Sequence, residues 1–180
     1  MRTPEDVLEF WFVEHGRDDW FAAKPEFDAK LADRFAETHE KVALGEAFHW
    51  RATPEGRLAE ILVLDQFSRQ LHRGDARAFA QDGMALVLAQ EAVAAGHDRK
   101  LTPDQRTFLL MPYMHSESLV VHEEAVRLFT ELGNQETLDY EIAHREVLRR
   151  FGRYPRRNAA LGRQSTQAEL EYMESGEGMF

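Results

Sequence analysis

The chain contains no cysteine among its 180 residues, so disulfides, thiolate metal sites and cysteine nucleophiles are excluded together. A chain without disulfides suits a reducing compartment, and the expected location is the cytoplasm. Long apolar runs are missing as well. The longest is Met84 to Ala89, far short of the roughly 20 residues a membrane helix needs. The opening MRTPEDVLEFWF has no basic-then-apolar leader, so a protein that is neither secreted nor membrane-bound is expected. Stretches of alternating apolar and polar residues long enough for strands do not occur. Glycine-rich phosphate loops, HExxH and G-x-S-x-G are also lacking, which removes the common signatures of nucleotide binding, zinc proteolysis and serine hydrolysis.

Lysine is scarce. Arginine outnumbers it 18 to 4, in a chain whose formal net charge is −10. That balance argues against nucleic-acid binding. The arginines are unevenly placed: Arg149, Arg150, Arg153, Arg156, Arg157 and Arg163 share one stretch without an acid. Length and an ordinary 43% hydrophobic, 30% charged composition fit one domain over residues 1–180.

What is present reads almost entirely as helix. Thr3-Pro4-Glu5, Thr53-Pro54-Glu55 and Thr102-Pro103-Asp104 are three N-terminal signals, each a capping hydroxyl, a proline and an acid. Their spacing of about fifty residues suggests successive helical hairpins stacked side by side. Further helices are expected from Pro25 to Gly45, from Asp75 to Gly96, up to Gly133, from Gln135 to Phe151, and after Thr166. Phe48 and Trp50 are expected to pack back onto the bundle. Phe79, Leu86, Val87 and Val93 should face inward, and Pro112 should break its helix. The fold class is all-α, a right-handed stack of antiparallel helix hairpins.

The central stretch is RLAEILVLDQFSRQLHRG, Arg57 to Gly74. Its first half is apolar on every side, as in a buried helix. At helical spacing Leu58, Ile61, Leu62, Asp65, Arg69 and His72 share a face. An apolar face thus runs into an acid, an arginine and a histidine. Asp65 and Arg69 can pair, either as a structural ion pair or as one wall of a polar pocket. PYMHSESL contributes His115 and Glu117 near Pro112. His144 lies among Tyr140, Val147 and Leu148, which points it inward. A histidine so placed is most often a core residue. His-x-Glu with a distant His is not a ligand motif, so neither metal nor cofactor is expected.

RFGRYPRRNAALGRQST, with LDQFSRQLHRG and PYMHSESL, resembles the bacterial family catalogued as domain of unknown function 924. The resemblance runs from Val7 through Glu169 and implies a tetratricopeptide-repeat-like, all-helical domain. It implies no reaction. Its signature polar positions fall on Asp65, Gln66, Arg69, His115, Glu117, His144, Arg153, Asn158 and Arg163. Where the family often has Pro-Arg-Asn after Gln-Phe, this chain has Ser68-Arg69-Gln70. Where it often has His, this chain has Arg156.

Two functions compete. A binding module would use a polar, Arg-lined groove, with Gln66, Arg69, Arg153, Asn158 and Arg163 taking a peptide or small anionic ligand. An enzyme would use His115 or His144 as general acid/base, Glu117 or Asp65 as its partner, and Arg69 or Arg153 as anion anchor. RNA binding through Arg149 to Arg163 ranks last. An enzyme needs a His and a carboxylate within hydrogen-bond reach at a closed cleft; a binding module does not. The arginine stretch has two fates: tied down by internal carboxylates, the commoner one, or held open for an anion. Arg153 and Arg163 are expected to point inward, and Arg149, Arg150 and Arg156 to be solvated.

Overall fold

Thr3 begins the first helix by a reciprocal cap: its hydroxyl accepts from the Asp6 amide at 3.3 Å, and the Asp6 carboxylate accepts from the Thr3 amide at 3.0 Å. In the computed structural model, which describes residues 1–178, the resulting helix α1 covers Pro4–Glu9 and widens into a π turn over Phe10–Glu14. A short α2 (Arg17–Trp20) and then α3 (Pro25–Ala43) come next. In α3, Phe27, Leu31, Phe35, Thr38 and Val42 recur three to four residues apart, so one stripe is buried and the remainder faces water.

The central rod starts from Thr53, whose hydroxyl accepts the Gly56 amide at 3.0 Å. A Cβ on Gly56 would lie 2.0 Å from the Trp50 carbonyl oxygen, so the approach of the preceding turn requires glycine. The rod is α4 (Pro54–Leu62), a π turn over Val63–Phe67, and α5 (Ser68–Leu71). Every residue from Leu58 to Ser68 is buried. The π turn takes more residues per turn than an α-helix and shifts the phase of the residues beyond it. Arg69 still reaches Asp65, but His72 turns away, its ring 5.4 Å from His39 of α3.

Then come α6 (Asp82–Ala94), α7 (Pro103–His115), α8 (Leu119–Leu132), α9 (Gln135–Phe151) and α10 (Gln167–Glu174). The rod packs on α1, α3, α6 and α7, while α7, α8 and α9 pack in sequence through tight links at residues 116–118 and 133–134. No strand occurs among the described residues, so the chain is all-α. No helix is long and apolar enough to cross a membrane. The main core joins Trp11, Phe10, Phe35 and Phe67 to Leu58, Leu62, Leu64 and Leu109.

Four local expectations fail. Phe48 is 68% exposed, and only Trp50 of that pair packs inward. Val87 is 56% exposed, because α6 presents Ala85, Leu88, Ala89 and Ala92 instead. Small residues there admit the rod closely, and their face was hidden by the larger residues beside it. Asp75 caps a 3-10 turn at Ala76–Phe79, ahead of α6. Pro112 lies within α7. Its lost hydrogen bond costs about 3 kcal/mol in a helix interior, but it is one turn from the end, and the burial of Tyr113 and Met114 offsets it.

Phe67→Ala should therefore cost about 3–5 kcal/mol in urea unfolding, as for any large core deletion. Phe48→Ala should stay within about 0.5 kcal/mol. Similar losses for both would contradict this assignment of core and surface.

Candidate functional site

His115 ends α7 and carries its imidazole to the π turn of the rod. There its Nδ1 donates to Asp65 Oδ1 at 2.7 Å. A carboxylate accepts only, so the proton sits on Nδ1 and Nε2 is left as a lone pair. Among the described residues Nε2 has no hydrogen-bond partner, and it is not sealed from solvent. It belongs to a cavity of about 840 Å³.

Asp65 is buried, and its charge is answered from several sides. Gln66 Nε2 donates to Oδ2 at 2.6 Å and Arg69 Nη1 to Oδ1 at 3.0 Å, beside the bond from His115. Arg69 also binds the Asp65 carbonyl at 2.8 Å. It then clamps Asp82, the first residue of α6, through both Nη atoms at 2.8 and 3.0 Å. Asp82 accepts a further bond from Arg157 at 3.3 Å, and Arg157 Nη2 returns to the His115 carbonyl at 2.8 Å. The path His115, Asp65, Arg69, Asp82, Arg157 and back to His115 is a closed ring of hydrogen bonds. The Arg157 guanidinium also lies over Phe79 and Tyr154, 4.8 and 4.6 Å from the ring centres.

The ring fixes protonation. Burial pushes the Asp65 carboxyl up, but Arg69 and His115 outweigh it and hold it below the ordinary range. Burial, then the charge of Arg69, pushes His115 down against the opposing pull of Asp65. The result is an ionised acid supporting a neutral imidazole. His144 of α9 lines the same cavity. Its Nδ1 donates to the Tyr140 carbonyl at 2.7 Å, and burial pushes it down to about 3.

Asp65, Gln66, Arg69, His115 and His144 are thus gathered at one place, with Asp65 behind the imidazole. Glu117, Arg153, Asn158 and Arg163 are gathered at another. Glu117 accepts the Tyr154 amide at 2.7 Å and a two-point bond from Arg163 at 2.7 and 2.9 Å. Arg163 also binds Asn158 Oδ1 at 2.9 Å and the Tyr154 carbonyl at 3.0 Å. Arg153 clamps Glu169 at 2.6 and 2.8 Å. None of these four lines the cavity. They pin the loop between α9 and α10, which delivers Tyr154, Arg156 and Arg157 to the cavity wall. The arginine stretch is largely tied down internally, and Arg149, Arg150 and Arg156 are exposed.

Sequence reasoning missed Arg157, Asp82, Tyr154 and the aromatic wall of Trp20 and Phe108, whose ring centres are 4.8 Å apart. Arg157 was visible as one of six arginines with nothing to separate it, and Asp82 looked like any helix-start acid. Among the described residues no group of three or more His, Asp or Glu gathers to hold a metal.

The family described as bacterial protein of unknown function (DUF924) matches residues 7–177. The solved structure of a protein of unknown function from Agrobacterium tumefaciens is similar, with a TM-score of 0.91 and 37% identity over 96% of this chain and 97% of that one. No curated protein matches the chain.

Removing Asp65 breaks the ring at its most buried member. Asp65→Ala should cost on the order of 3–5 kcal/mol, against about 0.5 kcal/mol for Asp104→Ala on the surface; urea unfolding of the two variants makes the comparison. Besides His144, acid sensitivity should come from a histidine elsewhere in the core. Burial and His72 push His39 from 6.5 to about 4. Below 6.5 the unfolded chain takes up a proton that the folded chain refuses. Stability is then full above that pH and falls as the pH drops toward 4. A urea midpoint that falls as steeply in His39→Gln would exclude His39 as a source.

Proposed function

The chain belongs to the DUF924 family of bacterial proteins, whose description names no activity, and from its geometry we propose an enzyme that uses His115 as a general base on a small organic molecule. The observation carrying this reading is the 2.7 Å bond from His115 Nδ1 to Asp65 at the cavity. Asp65 sets the tautomer and stabilises the imidazolium that forms when Nε2 takes a proton, as the orienting acid does in acid–His pairs generally. The cavity volume falls within the range of small-molecule sites. Arg157, bonded to the His115 carbonyl, is at hand for a developing negative charge. Among the described residues no serine, cysteine or lysine lines the cavity. His115 is the lining group held ready by a buried carboxylate, so the chemistry proposed is proton abstraction or activation of a water.

A binding module without turnover is the second reading. It draws on Arg69 and Arg157 being matched already by Asp65 and Asp82, so that neither awaits an anion. Proton abstraction from a bound acid would appear as deuterium uptake from heavy water, followed by proton NMR over a panel of small acids. His115→Asn should slow that uptake by about 10²- to 10⁴-fold, the usual worth of a general base. Asp65→Asn should also slow it, by upsetting the tautomer. Ligands that bind wild type with neither exchange nor turnover would leave only the binding module.

A further inference from the structure

Five arginines line the cavity, and four of them are answered by carboxylates. Arg17 pairs with Glu136 at 2.8 Å and Arg73 with Asp28 at 2.6 Å. Arg69 and Arg157 share Asp65 and Asp82, two charges against two. The fifth, Arg156, has no carboxylate partner among the described residues. Among the described residues its guanidinium hydrogen-bonds to backbone carbonyls alone, those of Gly178 at 3.1 Å, Glu177 at 2.9 Å and Met173 at 3.5 Å, and lies over the Tyr172 ring at 6.0 Å. Asp104 lines the cavity without a cation, but it stands in the first turn of α7, where the helix dipole answers it. Among the described residues, one positive charge is therefore left over on the Arg156–Arg157 side. The opposite demand comes from the aromatic wall, where Trp20 and Phe108 meet edge to face. The cavity, at about 840 Å³, is far too large for an inorganic ion.

We propose that the ligand is an aromatic monocarboxylate, its ring against Trp20 and Phe108 and its carboxylate beside Arg156. One unmatched cation calls for one negative charge, which favours a carboxylate over a doubly charged phosphate monoester. The proposal rests on the catalytic reading, since it names that reaction's substrate class. Arg156, Arg157 and His115 line the same cavity, and Arg157 binds the His115 backbone carbonyl, so a carboxylate beside Arg156 shares the cavity with the imidazole.

Trp20 reports on this directly, because it is the cavity-lining member of the three tryptophans. Titrating the whole protein with hydrocinnamate should quench its fluorescence saturably. Hydrocinnamyl alcohol and phenylpropylamine should bind at least tenfold more weakly, and acetate should not compete. Arg156→Gln should bring hydrocinnamate down to the level of the alcohol, while Arg149→Gln leaves it unchanged. Calorimetric titration of Trp20→Phe checks that the signal is local. No saturable binding of hydrocinnamate, an alcohol or amine that binds as tightly, or full affinity in Arg156→Gln would each overturn the proposal. The two readings fail separately. Tight acid binding without deuterium exchange removes the catalytic reading and keeps this one. Exchange on a neutral substrate, with no preference for acids, does the reverse.

Discussion

An ionised carboxylate at 0% exposure, as at Asp65, costs several kcal/mol of lost hydration unless its surroundings answer it. Here the answer comes from several parts of the chain. Arg69 comes from the same rod, His115 from the end of α7, and Asp82 and Arg157 extend the circuit to α6 and the loop before α10. Asp65, the most buried member, keeps its charge only while Arg69, Gln66 and His115 answer it. The ring therefore sets the relative positions of these elements more sharply than packing alone, since apolar contacts tolerate sliding and ion pairs do not.

Such a ring is weak evidence for stability, because well-packed apolar residues of similar volume often serve as well. Its presence makes more sense as positioning. Asp65 holds the His115 ring, the Gln66 amide holds the other oxygen of Asp65, and the π turn presents both. A π turn within a helix is a frequent mark of a functional site, and here it carries the acid.

The arginines do two kinds of work. Arg153 and Arg163 are matched to Glu169 and Glu117 and fasten the loop. Arg157 faces the cavity from the segment so fastened. The planar fork of arginine suits both tasks, as it binds a carboxylate at two points and stacks on aromatic faces.

The helical class, most helix starts and the burial of the central rod were determined by the sequence. Capping residues and three-to-four spacing act within a few residues of themselves. Asp65 and Arg69 could be singled out because charges beside an apolar face must be answered, and His115 because it lies near Pro112. The partners could not be read. Asp65 and His115 are fifty residues apart, Asp82 and Arg157 are seventy-five apart, and no local pattern selects one arginine from six. Glu117 shares a motif with His115, and Arg163 is a signature position of the arginine stretch, yet the two pair with each other and fasten a loop. That division was decided only by tertiary structure, because a charge takes whichever opposite charge the packed helices bring within reach.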